Sequence, residues 1–241
     1  MSSSTPSPLP IKNQLLASLP TDEYQRLVPH LELVSLQSGQ ILCHQGEVLK
    51  YAYFPHHTII SLVCMMQNGS TVEVGLVGND GILGVPIFLA DSISIYEANV
   101  QIPSSAVRIR ADVLKSEFNR GGALQSVLLR YSQALLNQVS QGAACNRLHT
   151  LEERLARWLL TVRDRLESDE LPLTQEFMSQ MLGTRRSGVT VAAITLQQAG
   201  TIRYARGKIT ILNREGLEAT SCECYGAVKG EFKRLLGTRY V

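Results

Sequence analysis

Residues 173–196 carry the pattern that most constrains how this chain can fold. Thr174 is a good N-cap residue for a helix. The apolar residues after it have the spacing of one buried helical face: Phe177, Met178, Met181 and Leu182. Gly183 can end this helix, because glycine adopts the left-handed conformation at little cost, and Thr184 can cap a second helix that runs to about residue 199. The pattern predicts a helix-turn-helix.

Basic side chains are concentrated in and just after this motif. The first turns of the second helix carry four polar or basic residues: Arg185, Arg186, Ser187 and Thr190. Residues 202–211 alternate around a glycine and predict a β-hairpin with three basic residues: Arg203, Arg206 and Lys208. Residues 172–211 contain five basic side chains and one acidic side chain, a net charge of +4, whereas the whole chain carries +2.

A helix-turn-helix followed by a basic hairpin is a winged helix, and its expected partner is double-stranded DNA. Arginine can bind guanine O6 and N7 or a phosphate, and residues at the start of the second helix reach base edges in this docking mode. The predicted DNA contacts are Thr174, Gln175, Arg185, Arg186, Ser187, Thr190, Arg203, Arg206 and Lys208. The alternative is a helical hairpin with solvated arginines, in a regulatory module that acts through an effector or partner protein without reading DNA.

Length and composition limit the remaining choices. A chain of 241 residues can form one large or two modest domains, and five cysteines without a repeated framework suggest a reducing compartment. No apolar run approaches the ~20 residues that a membrane helix needs. Residues 1–10 are rich in serine and proline and lack the features of a signal peptide. We therefore expect a cytoplasmic protein with a mobile tail at residues 1–10.

The order of patterns predicts an α+β chain. Short helical patterns occupy residues 11–31, and a different period begins at Leu33. Short β-branched or aromatic segments, separated by turn residues, then predict strands: 34–36, 40–43, 51–54, 58–63, 71–77 and 99–102. Many short strands suggest a compact β-barrel or jelly roll. Helices are expected at 111–118, from about 123, at 151–166 after the Thr150 cap, at 213–220 and at 225–236.

These patterns predict four parts: a tail (1–10), a β-barrel effector domain (11–122), a dimerisation helix (123–149) and a winged-helix domain (150–241). The long helix carries a heptad seam: Leu124, Leu128, Tyr131, Leu135, Gln138, Gly142 and Cys145. The seam could pack on the chain's own barrel, but a second stripe of Leu129, Leu136 and Val139 could serve there. The prediction is that the seam joins two copies in a homodimer, which would suit two DNA half-sites.

This order of parts resembles the Crp/Fnr family of bacterial transcription regulators. The resemblance spans about residues 15–211 and is strongest in residues 36–47, similar to the family's barrel opening, and in residues 180–186 with Val189, similar to its helix-turn-helix. It implies a cyclic-nucleotide-binding-like jelly roll, a base-reading role for Arg186 and RNA polymerase as a further partner. Ser187 and Val191 replace a glutamate and an arginine that are common in the family, so the usual operator sequence is not implied.

The effector pocket that the resemblance implies is degenerate. Gly84-Val85-Pro86 stands where cyclic-AMP-binding relatives have Gly-Glu-Leu, and Ile95-Tyr96 stands where they have the phosphate-binding Arg-Ser pair. Valine cannot accept a ribose hydroxyl, and isoleucine cannot neutralise a buried phosphate. We therefore expect no cyclic-nucleotide binding, no cofactor and an unidentified effector. Arg108 and Arg110 are close in sequence but are expected to be solvated.

Neither a metal site nor an enzyme is predicted. Cys43, Cys64 and Cys145 are far apart in the sequence, the pair Cys222 and Cys224 lies beyond the wing, and none forms the closely spaced set of an iron–sulfur protein. Three histidines could bind a metal: His44, His56 and His57. The pair His56-His57, after Pro55, fits a barrel turn better. Cys145 is expected either to pack as a small buried residue or to face its two-fold mate. The chain has no recognisable catalytic motif.

Overall fold

The structure, a computed structural model, describes residues 12–240. Two short helices come first, α1 (Gln14–Ala17) and α2 (Thr21–Leu27), followed by a 3-10 turn at Val28–His30. The cap of α1 is local, because the Asn13 side chain accepts hydrogen bonds from the first backbone N–H groups of the helix. The predicted tail at residues 1–10 lies outside the described residues.

Two antiparallel sheets follow. Their strands are β1 (Glu32–Leu36), β2 (Ile41–Cys43), β3 (Tyr51–Pro55), β4 (Ile59–Met65), β5 (Thr71–Val77), β6 (Glu97–Ile102) and β7 (Ser104–Arg110). The strand orders are β1-β7-β3 and β2-β6-β4-β5. The short helix α3 (Val85–Leu89) lies between β5 and β6. The sheets enclose one apolar core, which confirms the predicted β-barrel or jelly roll.

The helix α4 (Ala111–Asn119) leads into the long helix α5 (Ala123–Leu148), and one face of α5 closes the barrel. That face is the stripe predicted to join two copies. Six of its seven residues are buried within the chain: Leu124, Leu128, Tyr131, Leu135, Gln138 and Cys145. The side chain of Gln138 donates to the carbonyl oxygen of Leu76 on β5 at 3.2 Å. The predicted dimer seam is therefore wrong for these residues, because their side chains pack on the chain's own core.

The second stripe of α5 is the one left open to solvent. Leu129 is 46% exposed and Leu136 is 66% exposed, while Val139 is half-buried. Both stripes have heptad spacing, so the periodicity alone does not tell which face covers the barrel. The stripe expected to join two copies thus covers the barrel, and the stripe expected to cover the barrel is largely exposed.

The C-terminal part contains α6 (Leu151–Leu166), β8 (Glu170–Leu171), α7 (Gln175–Met181), α8 (Arg186–Gln198), β9 (Ile202–Ala205), β10 (Lys208–Ile211), α9 (Arg214–Thr220) and α10 (Cys224–Leu236). Thr150 begins α6 in a capping box with Glu153. Strand order β8-β10-β9 makes a small sheet beside the helices. A second apolar core is centred on Trp158 and Leu159 of α6.

Several long-range contacts join the two parts. Helix α10 packs along α5, and the rings of Phe232 and Tyr131 meet edge to face at 6.3 Å. The guanidinium of Arg165 at the end of α6 donates to the carboxylate of Asp80 at 2.8 Å, and both side chains are almost fully buried. Tyr240 also donates to Asp80, at 3.0 Å. No helix within residues 12–240 is long and apolar enough to span a membrane.

Candidate nucleic-acid interface

The turn between α7 and α8 is built by backbone hydrogen bonds around Gly183. Gly183 has φ +58°, the left-handed conformation that favours glycine, and ends the first helix as the sequence predicts. The N–H of Thr184 bonds to the carbonyl of Ser179 at 3.0 Å and so belongs to the end of α7. Arg185 therefore occupies the N-cap position of α8, without a side-chain cap bond. The prediction that Thr184 caps the second helix is wrong for this reason.

The start of α8 presents its polar side chains to solvent. Arg185, Arg186 and Ser187 are all exposed. Thr190 is partly buried, and its hydroxyl donates to Oε1 of Gln175 at 3.2 Å and to the carbonyl of Arg186 at 3.0 Å. Gln175 of the first helix thus fixes the side chain of Thr190 in the second. Thr174, at the start of α7, is exposed and caps the N–H of Phe177 at 3.2 Å.

Two apolar side chains on the same face have no counterpart in the predicted contact set. Val191 is 59% exposed and Ile194 is 49% exposed, one and two turns beyond Ser187. The opposite face of α8 is buried through Val189, Ala192 and Leu196. An apolar side chain on a major-groove helix can contact the methyl group of thymine. The sequence could have indicated these two residues, because β-branched side chains on the predicted outer face of an amphipathic helix are unusual.

The wing is a two-residue hairpin. Arg206 has φ +51° and Gly207 has φ +74°, the pair of positive angles that a type I′ turn requires. Arg203 and Arg206 are exposed, and Lys208 is exposed but forms an ion pair with Glu170 of β8. The structure thus places the wing's three basic residues on one hairpin, close to the start of α7, where Thr174 lies near Gly207.

The barrel contacts the helix-turn-helix directly. A Cβ on Gly183 would lie 3.1 Å from Cγ2 of Val72 on β5, so only glycine fits without displacement at this contact. Glu73, the next residue of β5, accepts hydrogen bonds from Nε1 of Trp158 on α6 at 2.8 Å and from the hydroxyl of Ser61 at 2.6 Å. Burial raises the pKa of Glu73 to about 7. This carboxyl, whose pKa lies near neutral pH, is thus placed where the barrel meets the C-terminal part.

The region that matches the family's effector pocket is packed with apolar side chains. Gly84 has φ +133°, and its Cα lies so close to Ala52 that an added Cβ would clash at 2.8 Å. Tyr96 is buried in the barrel core, whereas Ile95 is 70% exposed and points away from it. Val85 and Pro86 form the first turn of α3. No charged side chain from these positions faces the barrel interior.

The two arginines on β7 form surface ion pairs. Arg108 binds Glu32 with two hydrogen bonds of 2.9 Å and lies over the ring of Tyr51. Arg110 binds Asp112 in the same bidentate manner. Both guanidinium groups thus lie on the outside of the barrel, as predicted, but each is paired rather than only solvated.

Three of the five cysteines meet in the structure, although Cys145 is far from the other two in the sequence. Cys145 on α5, Cys222 and Cys224 form one buried cluster, with Sγ of Cys145 and Sγ of Cys222 3.5 Å apart. His149, which no sequence pattern singled out, joins them. Residues 77 positions apart meet because α10 packs back on α5. Cys145 therefore faces neither solvent nor a two-fold mate.

The other candidate metal ligands pair with non-cysteine neighbours. Nδ1 of His44 lies 2.9 Å from a carboxylate oxygen of Glu97. Nδ1 of His56 lies 3.1 Å from the hydroxyl of Ser105, and burial lowers the pKa of this imidazole. Cys43 lies in the barrel core, and Cys64 is partly buried on β4. These residues therefore stay in the barrel, as the sequence suggested.

Two family models match this chain. The Cyclic nucleotide-binding domain matches residues 33–120, and the Crp-like helix-turn-helix domain matches residues 153–220. The first covers the barrel and the second covers the helix-turn-helix with its wing, in the order that the structure shows. The chain belongs to the Crp/Fnr family of transcription regulators, a family of DNA-binding proteins and not of enzymes.

Solved structures of this family share the fold. FixK2 from Bradyrhizobium japonicum is 17% identical with a TM-score of 0.68, over 80% of this chain and 98% of that chain. TTHA1359, a CRP/FNR-family regulator from Thermus thermophilus, is 21% identical with a TM-score of 0.62, over 79% and 98%. CLP from Xanthomonas campestris, described as c-di-GMP responsive, is 13% identical with a TM-score of 0.62, over 80% and 99%. No curated protein matches the sequence.

Proposed function

We propose that this chain acts as a homodimer that reads a two-fold-symmetric operator through α8. The observation that carries the proposal is the exposed start of α8, where two adjacent arginines stand beside a wing with three more basic residues. The N-terminal residues of a recognition helix are the ones that meet base edges in the major groove. Contact with DNA would therefore place Arg185, Arg186 and Ser187 at the bases.

The predicted contacts divide into two groups by chemistry. Arg185, Arg186, Ser187 and Thr190 lie on the helix that enters the groove and would select sequence. Thr174, Gln175, Arg203, Arg206 and Lys208 lie around it and would bind the phosphate backbone. Val191 and Ile194, which are exposed on the same face, would join the first group as partners for thymine methyl groups.

The exposed stripe of α5 supports the homodimer. Leu129, Leu136 and Ala143 follow one another at intervals of seven residues, and all three are exposed. Small or polar residues with the same interval lie beside them: Ser126, Gln133 and Ser140. Such a face would form the seam with the same face of a second chain. A dimer of this kind would present two copies of α8, as an operator with two half-sites requires.

The barrel is proposed to sense a signal other than a cyclic nucleotide. The apolar packing around Gly84 and Tyr96 leaves no group for a ribose hydroxyl or a cyclic phosphate. Isothermal titration of the purified protein with cyclic AMP and cyclic GMP should give no heat of binding. A saturable signal with either nucleotide would contradict this part of the proposal.

The proposed division of labour follows the sequence analysis: effector barrel (11–122), dimerisation helix (123–149) and DNA-binding domain (150–241). Signal transmission would run from the barrel through α5 to the spacing of the two recognition helices, with RNA polymerase as the partner at the promoter. The contact between Gly183 and Val72 and the bond between Glu73 and Trp158 support a direct path from the barrel as well.

Selection of bound sequences from a random duplex pool, with native mass measured on the same sample, tests the function. We expect a dimer that enriches a two-fold-symmetric motif with half-sites about one helical turn apart. A folded dimer whose R185A/R186A variant bound DNA as well as the parent would contradict the assigned interface. The K233A variant, which removes an exposed charge from α10, is the control and should bind normally.

A further inference from the structure

Three cysteines and one histidine converge where α5 ends. Cys145 and His149 are one helical turn apart at the end of α5, with His149 as its C-cap residue. Cys222 and Cys224 lie at the junction of α9 and α10. The four candidate ligand atoms, three Sγ atoms and one imidazole nitrogen, all lie within 4.8 Å of one another.

Two distances in this cluster match the edges of a tetrahedron around a metal. Sγ of Cys145 lies 3.5 Å from Sγ of Cys222, and Sγ of Cys224 lies 3.6 Å from Nδ1 of His149. With Zn–S bonds of about 2.3 Å, a regular tetrahedron has S–S edges of about 3.8 Å, and the shorter Zn–N bond makes the S–N edge a little shorter. The atoms are therefore within a few tenths of an ångström of such edges at these two pairs.

The groups around the cluster are those that support a metal site. Nε2 of His149 lies 3.1 Å from a carboxylate oxygen of Glu223, which leaves Nδ1 as the nitrogen that faces the thiols. A carboxylate that receives the second ring N–H of a ligating histidine fixes its tautomer and orientation. The side chain of Gln141 donates to Sγ of Cys224 at 3.2 Å. Such a bond also stabilises negative charge on the sulfur.

We propose that Cys145, His149, Cys222 and Cys224 form a structural zinc site. Four protein ligands complete the tetrahedron, so the site would be closed rather than catalytic. The three thiols are buried, as a structural site requires. Binding of one Zn²⁺ would convert three thiols to thiolates and release three protons to solvent, without any change of oxidation state.

The site would lie where the long helix meets the C-terminal part. It ties the end of α5 to the start of α10, next to the short link between α5 and α6. This link connects the proposed dimerisation helix to the DNA-binding part. Zinc would therefore fix the angle between them. Metal binding itself does not depend on the proposed DNA recognition, so the two proposals fail independently.

Metal content is the first test. Full-length protein, purified under reducing conditions from cells grown with zinc, should contain about one zinc per chain by elemental mass spectrometry. After chelation, addition of Co²⁺ should produce the visible d–d bands and the sulfur-to-cobalt charge transfer of a tetrahedral thiolate site. Protein without zinc that gives no such spectrum would overturn the proposal, as would iron with the absorption of an iron–sulfur cluster.

Variants identify the ligands. C222S and H149A should each lower the affinity for Co²⁺ at least tenfold, whereas C43S and C64S, which alter cysteines outside the cluster, should keep it. Because a ligand variant can unfold the chain, E223Q provides a second measurement. Glu223 is exposed, and loss of its bond to His149 should weaken Co²⁺ binding about 10- to 100-fold in a folded protein. Equal Co²⁺ affinity in E223Q, C222S and the parent would rule out the site.

A disulfide is the competing chemistry for Cys145 and Cys222. Mass spectrometry after metal removal and alkylation, without a reducing step, distinguishes it, because a zinc site keeps all three cluster cysteines as alkylatable thiols whereas a disulfide leaves only one. A Cys145–Cys222 disulfide that persists in the protein as isolated from the cytoplasm of the expression host, with no bound metal, would overturn the proposal.

Discussion

At the residue scale, the exposed face of α8 combines charged side chains with apolar ones. Arg185 and Arg186 provide charged forks at its start, and Val191 and Ile194 provide apolar surface further along. A guanidinium can discriminate guanine by a bidentate contact, while an apolar side chain favours a thymine methyl. We therefore expect each half-site of the operator to contain a guanine, contacted by an arginine at the start of α8, and a neighbouring thymine, contacted by Val191 or Ile194.

R186A should weaken binding to the selected operator by about 1–3 kcal/mol and relax the preference at one base pair of each half-site, because a base contact carries sequence information. R206A should instead weaken binding to all sequences alike, because a phosphate contact carries no sequence information. It should also reduce the number of counterions released on binding, read from the salt dependence of the affinity, by about one per wing. Fluorescence anisotropy at several salt concentrations measures both effects. Identical behaviour of the two variants would contradict the division into base and phosphate contacts.

Glu73 should make stability depend on pH. The folded-state pKa is about 7, above the ordinary value of 4.5, so the folded chain holds this proton more tightly than the unfolded chain. The protonated carboxyl therefore makes its full contribution to the free energy of unfolding below about pH 4.5. As pH rises through 7 this contribution is lost, which lowers the free energy of unfolding by up to about 3 kcal/mol. Urea unfolding at pH 5 and pH 8 should show a smaller difference for E73Q than for the parent.

The control for this prediction is E176Q, which removes an exposed carboxylate from α7. Its difference in unfolding free energy between the two pH values should equal that of the parent. If E73Q also kept the parent's difference, the carboxyl of Glu73 would not be the group that titrates.

At the scale of elements, α5 shows what periodicity can and cannot predict. The sequence predicted a long helix from about residue 123 with two apolar stripes, and α5 has both. It assigned the wrong stripe to the barrel, because Leu135 and Leu136 are adjacent residues of the same type and the local pattern does not distinguish their faces. The choice is made by side chains distant in sequence, such as Leu62 on β4 and Phe232 on α10. Local pattern contains no information about those partners.

The same limit explains the other differences between prediction and structure. Helix caps, turn glycines and the alternation of apolar and polar residues depend only on neighbouring residues. These signals located most helices and strands within a few residues. The helix-turn-helix and the basic wing were predicted for the same reason. The cluster of Cys145 with Cys222 was not, because it forms only when α10 returns to α5. Thr184 was misassigned because it still belongs to the end of α7, where its N–H bonds to the carbonyl of Ser179, and α8 begins one residue later than predicted.

L136K should separate the proposed dimer into folded monomers. Leu136 lies at the centre of the exposed stripe, and a lysine on each chain would bring like charges into an apolar seam. Sedimentation velocity should show a loss of half the mass, with an unchanged circular dichroism spectrum. The matched control is L33K, which changes an exposed leucine of the barrel strand β1 and should remain dimeric. A dimeric L136K protein would place the interface elsewhere.

At the scale of the whole molecule, a buried ion pair is among the contacts that join the barrel to the DNA-binding part. Asp80 is 1% exposed and Arg165 is 2% exposed, and Gln138 of α5 accepts a further hydrogen bond from Arg165 at 2.8 Å. A buried pair contributes little over an apolar pair of similar size, but removal of one partner leaves the other charge buried alone. The pair therefore serves more to specify how the parts fit than to stabilise them.

R165M should destabilise the protein by about 3–5 kcal/mol, because Asp80 loses its counter-charge in a buried site. The double variant D80L/R165M should recover much of that loss. The R110M variant breaks an exposed ion pair with Asp112 and should destabilise the protein far less than R165M, because solvent screens the pair. Urea unfolding measures all three. If R165M lowered the free energy of unfolding no more than R110M does, the buried pair would be no more important for stability than an exposed one.

The position of Asp80 also bears on how such regulators can exchange parts during evolution. Its partners Arg165 and Tyr240 lie 85 and 160 residues further along the chain, beyond α5 and, for Tyr240, beyond the wing. A recombination that joined this barrel to another regulator's DNA-binding part would leave a carboxylate without its cation inside the hybrid. A viable graft would have to carry both partners with it, so operator preference should change here by substitution along α8 rather than by replacement of the domain.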